Sequence, residues 1–148
     1  MSAALDPTLY QLGLAEDTFD GRFTMVTIHA ALVMRRLREC GEEGRALADA
    51  LYKKVFSGFD YALREKGTGD ATIAKKVRRL GESFFGLARA LDAALSDSAT
   101  SNTLETVLER NGISPDLAEH VANIDKSLAS QDDQAVLAGE FAWQTVKA

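Results

Sequence analysis

A chain of 148 residues, 46% apolar and 26% charged, has the make-up of an ordinary globular protein with one core, which excludes a disordered or fibrous polymer. Its formal net charge of −5 weighs against indiscriminate nucleic-acid binding. No run reaches the roughly 18–20 apolar residues that a membrane-spanning helix needs.

The charge is unevenly spread. Residues 96–148 hold 3 Lys/Arg against 9 Asp/Glu, while residues 1–95 hold 14 against 13, so the last third is the acidic part. A single cysteine, Cys40, forbids an intrachain disulfide and fits a reducing compartment. The opening residues show no basic segment followed by an apolar block, so the expectation is a cytoplasmic protein. Peripheral attachment to the inner face of the membrane stays open.

In chain order, Asp6-Pro7 is a cap followed by a first-turn proline and predicts a short helix over about 7–14. Asp17 to Gly21 reads as a loop. From Arg22 to Cys40, Phe23, Val26, Ala30, Val33 and Leu37 recur at spacings of three and four, and Met25, Ile28 and Leu32 make other sides apolar. This predicts a central, mostly buried helix closed by Gly41. A helix over about Glu42–Lys66 carries two stripes, one of Leu47, Leu51, Val55, Gly58 and Ala62, the other of Tyr52, Phe56, Phe59 and Leu63. At about 100° per residue the two adjoin, so this helix must touch at least two neighbours.

Gly67 is the natural cap of that helix, and Thr68-Gly69-Asp70 a tight connection to the next. From Ala71 to Leu95 the stripe Ile73, Val77, Leu80, Phe84, Leu87, Leu91 and Leu95 is the cleanest helical period in the chain. Ser96–Asn102 reads as a polar loop. Further helices are predicted near Thr103–Arg110, Pro115–Ala129 and Asp132–Val146, the second opened by a Ser114 cap and a first-turn proline. No segment alternates with period two. The expectation is one all-α domain over residues 1–148, a bundle of about six to seven helices.

No catalytic constellation can be built from these residues. His29 and Cys40 lie about three turns apart on one predicted helix, too far to share an ion, and His120 is distant in sequence. Asp132 and Asp133 are explained as a helix start. Gly67-Thr68-Gly69 follows a helix and not a strand, which is the wrong context for a nucleotide loop. Neither a metal, a cofactor nor a catalytic residue is expected.

The informative feature is basic. Lys75, Lys76, Arg78 and Arg79 fall within five positions, and Arg89 follows. On a helical projection Lys75, Arg78 and Arg89 cluster away from the apolar stripe. Phe85 falls within about 20° of Arg78, and Gly86 points almost opposite the core. An aromatic ring flanked by guanidinium groups beside a residue without a side chain is a docking surface. The plainer alternative packs Phe85 under another helix and leaves the charges solvated. Arg64 has two readings, a surface pair with Asp60 one turn earlier or a reach across Gly67 to Asp70. The partner-binding set is thus Arg64, Asp70, Lys75, Lys76, Arg78, Arg79, Phe85, Gly86 and Arg89.

Three segments, Gly21–Arg38, Phe59–Lys76 and Glu82–Leu95, carry an ordered series that resembles the ubiquinol–cytochrome c chaperone family. The positions are Gly21-Arg22-Phe23, His29, Arg35-Arg36-Leu37-Arg38, Asp60, Leu63-Arg64-Glu65, Gly67, Gly69-Asp70 and Phe84-Phe85-Gly86. The resemblance covers residues 12–95 strongly and the acidic remainder loosely. The family's pattern has tyrosine where Phe85 stands, arginine where Leu87 stands and tyrosine where Leu91 stands, with larger apolar residues at Thr68 and Ala71. Those departures would remove hydrogen-bond donors from the candidate surface.

The resemblance implies a stand-alone bacterial assembly factor that binds newly made cytochrome b, or another subunit of the cytochrome bc1 complex, and performs no chemistry. A ribosome or membrane surface is a further implied contact. Two readings from other classes stand beside it. One is an RNA- or ribosome-binding module. The other is an enzyme with an apolar pocket beside the Tyr52–Phe59 stripe.

Overall fold

The computed structural model describes residues 2–67, 69–96 and 103–146. Thr68 of the predicted tight connection and residues 97–102 of the predicted polar loop lie outside them. The elements are seven α-helices: α1 (Pro7–Gln11), α2 (Phe19–Arg38), α3 (Gly41–Glu65), α4 (Asp70–Ser96), α5 (Leu104–Arg110), α6 (Ala118–Ser130) and α7 (Asp133–Leu137). Short 3-10 turns occupy Ala3–Leu5 and Pro115–Leu117. Among the described residues there is no β-strand, only an isolated antiparallel bridge between Ala15 and Ile113. The all-α expectation holds.

The apolar residues of α2 face every direction, so the rest of the chain wraps around it. Met25, Ile28 and Leu32 are as buried as Val26 and Val33, and α2 packs on the N-terminal 3-10 turn, α3, α4 and α6. The α4 stripe meets this axis through Phe84, Leu87 and Leu91, all buried, while Val77, Leu80 and Leu95 are half-covered.

Two glycines set how close the chain comes to itself. Any Cβ on Gly21 would overlap the carbonyl oxygen of Glu16, and one on Gly44 would overlap that of Leu37 and stand 2.9 Å from the Cys40 Cβ. Backbone therefore presses on backbone at the entry to α2 and at the α2–α3 corner. The Gly21 amide also donates to the Thr18 hydroxyl at 3.1 Å, an N-cap that starts α2 at Phe19. The expected loop over Asp17–Gly21 is corrected accordingly: Thr18 captures the chain earlier than the apolar period alone suggested.

The end of α2 carries the polar core. Arg36 is 7% exposed, yet every face of its guanidinium is occupied. Nε donates to the Leu128 carbonyl at 2.9 Å, Nη2 donates to the Gln131 carbonyl at 2.9 Å and pairs with Asp133, and Nη1 contacts the Cys40 sulfur at 3.1 Å. Arg35 reaches Asp125 on α6 at 3.2 Å, Asp92 on α4 and the Ser96 hydroxyl at 2.8 Å. One side chain caps α6 and anchors α7; its neighbour ties three helices together.

Other predicted ends shift. The first helix stops at Gln11 and not near 14. The Pro115–Ala129 helix divides into a 3-10 turn and α6. The largest correction is at the C-terminus, where Asp132–Val146 was expected to be helical. The helix α7 ends at Leu137, because Gly139 takes φ 75°, a conformation glycine adopts freely and other residues resist.

Beyond it residues 140–146 form no helix. Gln131 brackets this segment from both sides of one peptide: its Oε1 accepts from the Ala142 amide at 2.8 Å and its Nε2 donates to the Ala142 carbonyl at 3.1 Å. Phe141 and Trp143 pack on the core, and the Trp143 ring lies 5.1 Å from His29.

His29 is buried, with Nδ1–H donating to the Met25 carbonyl at 2.9 Å. Burial is the main cause that pushes its pKa down from 6.5 to about 4. The unfolded chain therefore takes up a proton between about pH 6.5 and 4 that the folded chain refuses. The neutral imidazole's contribution is complete above pH 6.5 and is lost as pH falls through 4, a difference of roughly 3 kcal/mol. Urea titrations at pH 7 and pH 4 should show this decline, and His29→Gln, which keeps a donor for Met25, should flatten it.

The glycines give a paired expectation. A Cβ at Gly86 meets nothing within 4 Å, so Gly86→Ala should stabilise by about 0.5–1 kcal/mol through helix propensity. Gly44→Ala should reverse that sign and cost about 1–3 kcal/mol, measured by the midpoints of urea unfolding.

Candidate functional site

The hairpin formed by α3 and α4 positions every residue of the predicted surface. Arg64 makes both of its anticipated contacts at once: Nε to Asp60 Oδ2 at 2.9 Å and Nη1 to Asp70 Oδ1 at 2.8 Å. One guanidinium thus spans the connection and joins the end of α3 to the start of α4. Hydrogen bonding to Asp60 raises the Arg64 pKa further, so the clamp keeps its charge at any relevant pH. Near the two ends it joins, Leu63 and Ile73 are buried outside the main core cluster.

Lys75, Lys76, Arg79 and Arg89 are exposed and make no ion pair among the described residues. Arg78 differs: its Nε turns to Glu82 Oε1 at 3.3 Å, one helical turn on. Phe85 is 48% exposed and Gly86 is exposed beside it. The ring is not capped by Arg78. It lies against Tyr52 of α3, with centroids 4.9 Å apart and planes 31° apart, and meets Phe84 edge-on at 5.8 Å.

This makes Phe85 the outer end of an aromatic row. Tyr52 stacks on Phe56 at 4.6 Å, Phe56 meets Phe59 at 6.1 Å, and Phe59 touches Phe23 at 4.8 Å and Phe19 at 6.2 Å. Rings thus occupy the space between the Tyr52–Phe59 stripe and its neighbours, where an apolar pocket was one of the expectations. At the far end of the row Lys66 Nζ stands 4.9 Å above the Phe19 ring. Phe19, Leu63 and Leu80 there floor an open groove of about 420 Å³, whose rim carries Lys66, Lys76, Arg79 and Asp20.

Two of the five expected departures do not touch this surface. Leu87 and Leu91 are buried in the core, so no partner meets them directly. Phe85 and Ala71 are exposed, and Thr68 lies outside the described residues.

The groove and the Tyr52–Phe85 stack were missed by sequence reasoning, because both depend on how α3 is rotated against α4. The available signal was the bulky α3 stripe, which needed an aromatic partner. Among the described residues no group of three or more His, Cys, Asp or Glu is placed to hold a metal ion. His29 lies in the core, and Cys40 is engaged with Arg36.

The crystal structure of the Cbp3 homolog from Brucella abortus superposes with a TM-score of 0.82 at 29% identity, over 97% of this chain and 83% of that one. Among curated proteins no sequence match emerged. The sequence profile described as ubiquinol-cytochrome C chaperone matches residues 12–143, running from the end of α1 through the acidic helices to the Trp143 tail. The chain therefore belongs to the ubiquinol-cytochrome C chaperone family.

Proposed function

We propose that this protein holds newly made cytochrome b, or another subunit of the cytochrome bc1 complex, until it is assembled, and that it carries out no reaction of its own. Family membership supports the chaperone role. The observation that carries the binding surface is the half-exposed Phe85 ring stacked on Tyr52, on a helix whose Lys75, Lys76, Arg79 and Arg89 are free to meet acidic groups. A pre-stacked ring loses little freedom on binding and supplies a large apolar contact, the usual composition of a binding hot spot. The cations around it add attraction for acidic loops of the client and speed encounter.

The place of action in this reading is the cytoplasmic face of the inner membrane, where a membrane-protein client is inserted. No helix among the described residues is long and apolar enough to cross a membrane, and the attachment we propose is peripheral.

Removing the gene from a host that has the bc1 complex should lower the amount of assembled complex, measured by native electrophoresis and haem absorbance. Crosslinking in the same host should capture cytochrome b on the α3–α4 hairpin. Unchanged complex levels together with no captured subunit would end the proposal. Capture of ribosomal RNA in place of the client, weakened by salt, would instead favour the RNA-binding alternative.

Two neighbouring phenylalanines separate binding from folding. Phe85→Ala should cost about 1 kcal/mol of stability, because the ring is half-solvated and loses one aromatic stack, yet reduce client capture severalfold. Phe84 is 0% exposed, and Phe84→Ala should cost about 3–5 kcal/mol. Chemical denaturation and crosslinking yield, measured on both variants, check the contrast.

A further inference from the structure

We propose that the groove between the start of α2, the end of α3 and the first turns of α4 is a binding site for the headgroup of an acidic phospholipid. The inference rests on the membrane-side part of the reading above and names the contact that would make it.

Three features converge on that ligand. Lys66, Lys76 and Arg79 stand on the rim of one groove and make no ion pair with any carboxylate among the described residues. Asp20 is the single acid in the lining, so the groove carries a net positive charge in a protein whose overall charge is −5. The floor of Phe19, Leu63 and Leu80 is apolar. Cations above a hydrocarbon floor match an amphiphile whose phosphate adjoins its glycerol carbons and first methylenes. About 420 Å³ admits that junction but not whole acyl chains, so the tails stay in the bilayer.

A peptide fits less well. The groove's walls are helices, so an extended segment finds no sheet edge to join. Lys66 is also partly committed: its ammonium rests over the Phe19 ring, which holds it at the rim in the absence of a carboxylate.

The test is sedimentation of the purified chain with vesicles of phosphatidylcholine alone or mixed with phosphatidylglycerol. Binding to the mixed vesicles and not to the neutral ones is expected. Lys76→Glu with Arg79→Glu should lower partitioning at least about tenfold, since each basic group near an anionic surface contributes about fivefold. Lys53→Glu with Lys54→Glu makes the same charge change on exposed α3 positions outside the groove and should have a much smaller effect.

A soluble short-chain phosphatidylglycerol should shift the aromatic NMR signals of Phe19, and inorganic phosphate should not compete with it. Equal loss in both double variants would reduce the effect to general charge and overturn the site. Effective competition by phosphate would make it an anion site and overturn the lipid assignment. Vesicle binding unchanged in the Lys76/Arg79 variant, with crosslinking to cytochrome b lost, would give the groove to the client. That outcome refutes this inference and leaves the proposed function standing.

Discussion

A guanidinium buried at the end of the central helix holds this fold together. Arg36 satisfies the last carbonyls of α6 and the start of α7 with one planar group, a geometry that suits arginine's fork of donors and not lysine's point charge. Taking that charge out of water is expensive, and only full hydrogen bonding repays it. The acidic last third of the chain is thereby drawn inward, with Asp125 and Asp133 meeting Arg35 and Arg36. Charge asymmetry along the sequence becomes attraction between its two parts.

That outcome shows what pattern reading reaches and where it stops. The α4 stripe from Ile73 to Leu95 was legible because each apolar residue follows the helical period and each lands on the covered side. Caps at Asp6, Ser114 and Asp132 were legible because a short polar side chain before a helix has one evident use. The tail after Gly139 was not legible, since Phe141, Trp143 and Val146 carry enough apolar character to imitate a helix. Its path is decided by distant partners, Gln131 and His29. Arg35 and Arg36 looked like ordinary basic residues at a helix end, and only the fold brings Asp92, Asp125 and Asp133 to them.

The candidate surface was half legible for the same reason. The sequence placed Phe85 and the cations on the solvent side of one helix, and both are exposed. It could not place Tyr52 beneath the ring, because the facing of α3 toward α4 is a tertiary fact. What reads in one dimension as an aromatic among arginines is in three dimensions the end of a row of rings. That row runs from Phe85 to Phe19 and joins the two surfaces for which partners are proposed.

The burial of Leu63 and Ile73 apart from the core has a consequence of its own. Both lie outside the central cluster, at an end of the hairpin that Arg64 closes and that meets α2 through Lys66 over the Phe19 ring. Few buried side chains stand there, so this end should open at lower cost than the trunk. In the proposed holding role, an end that yields before the core would let a client be gripped and released at small cost.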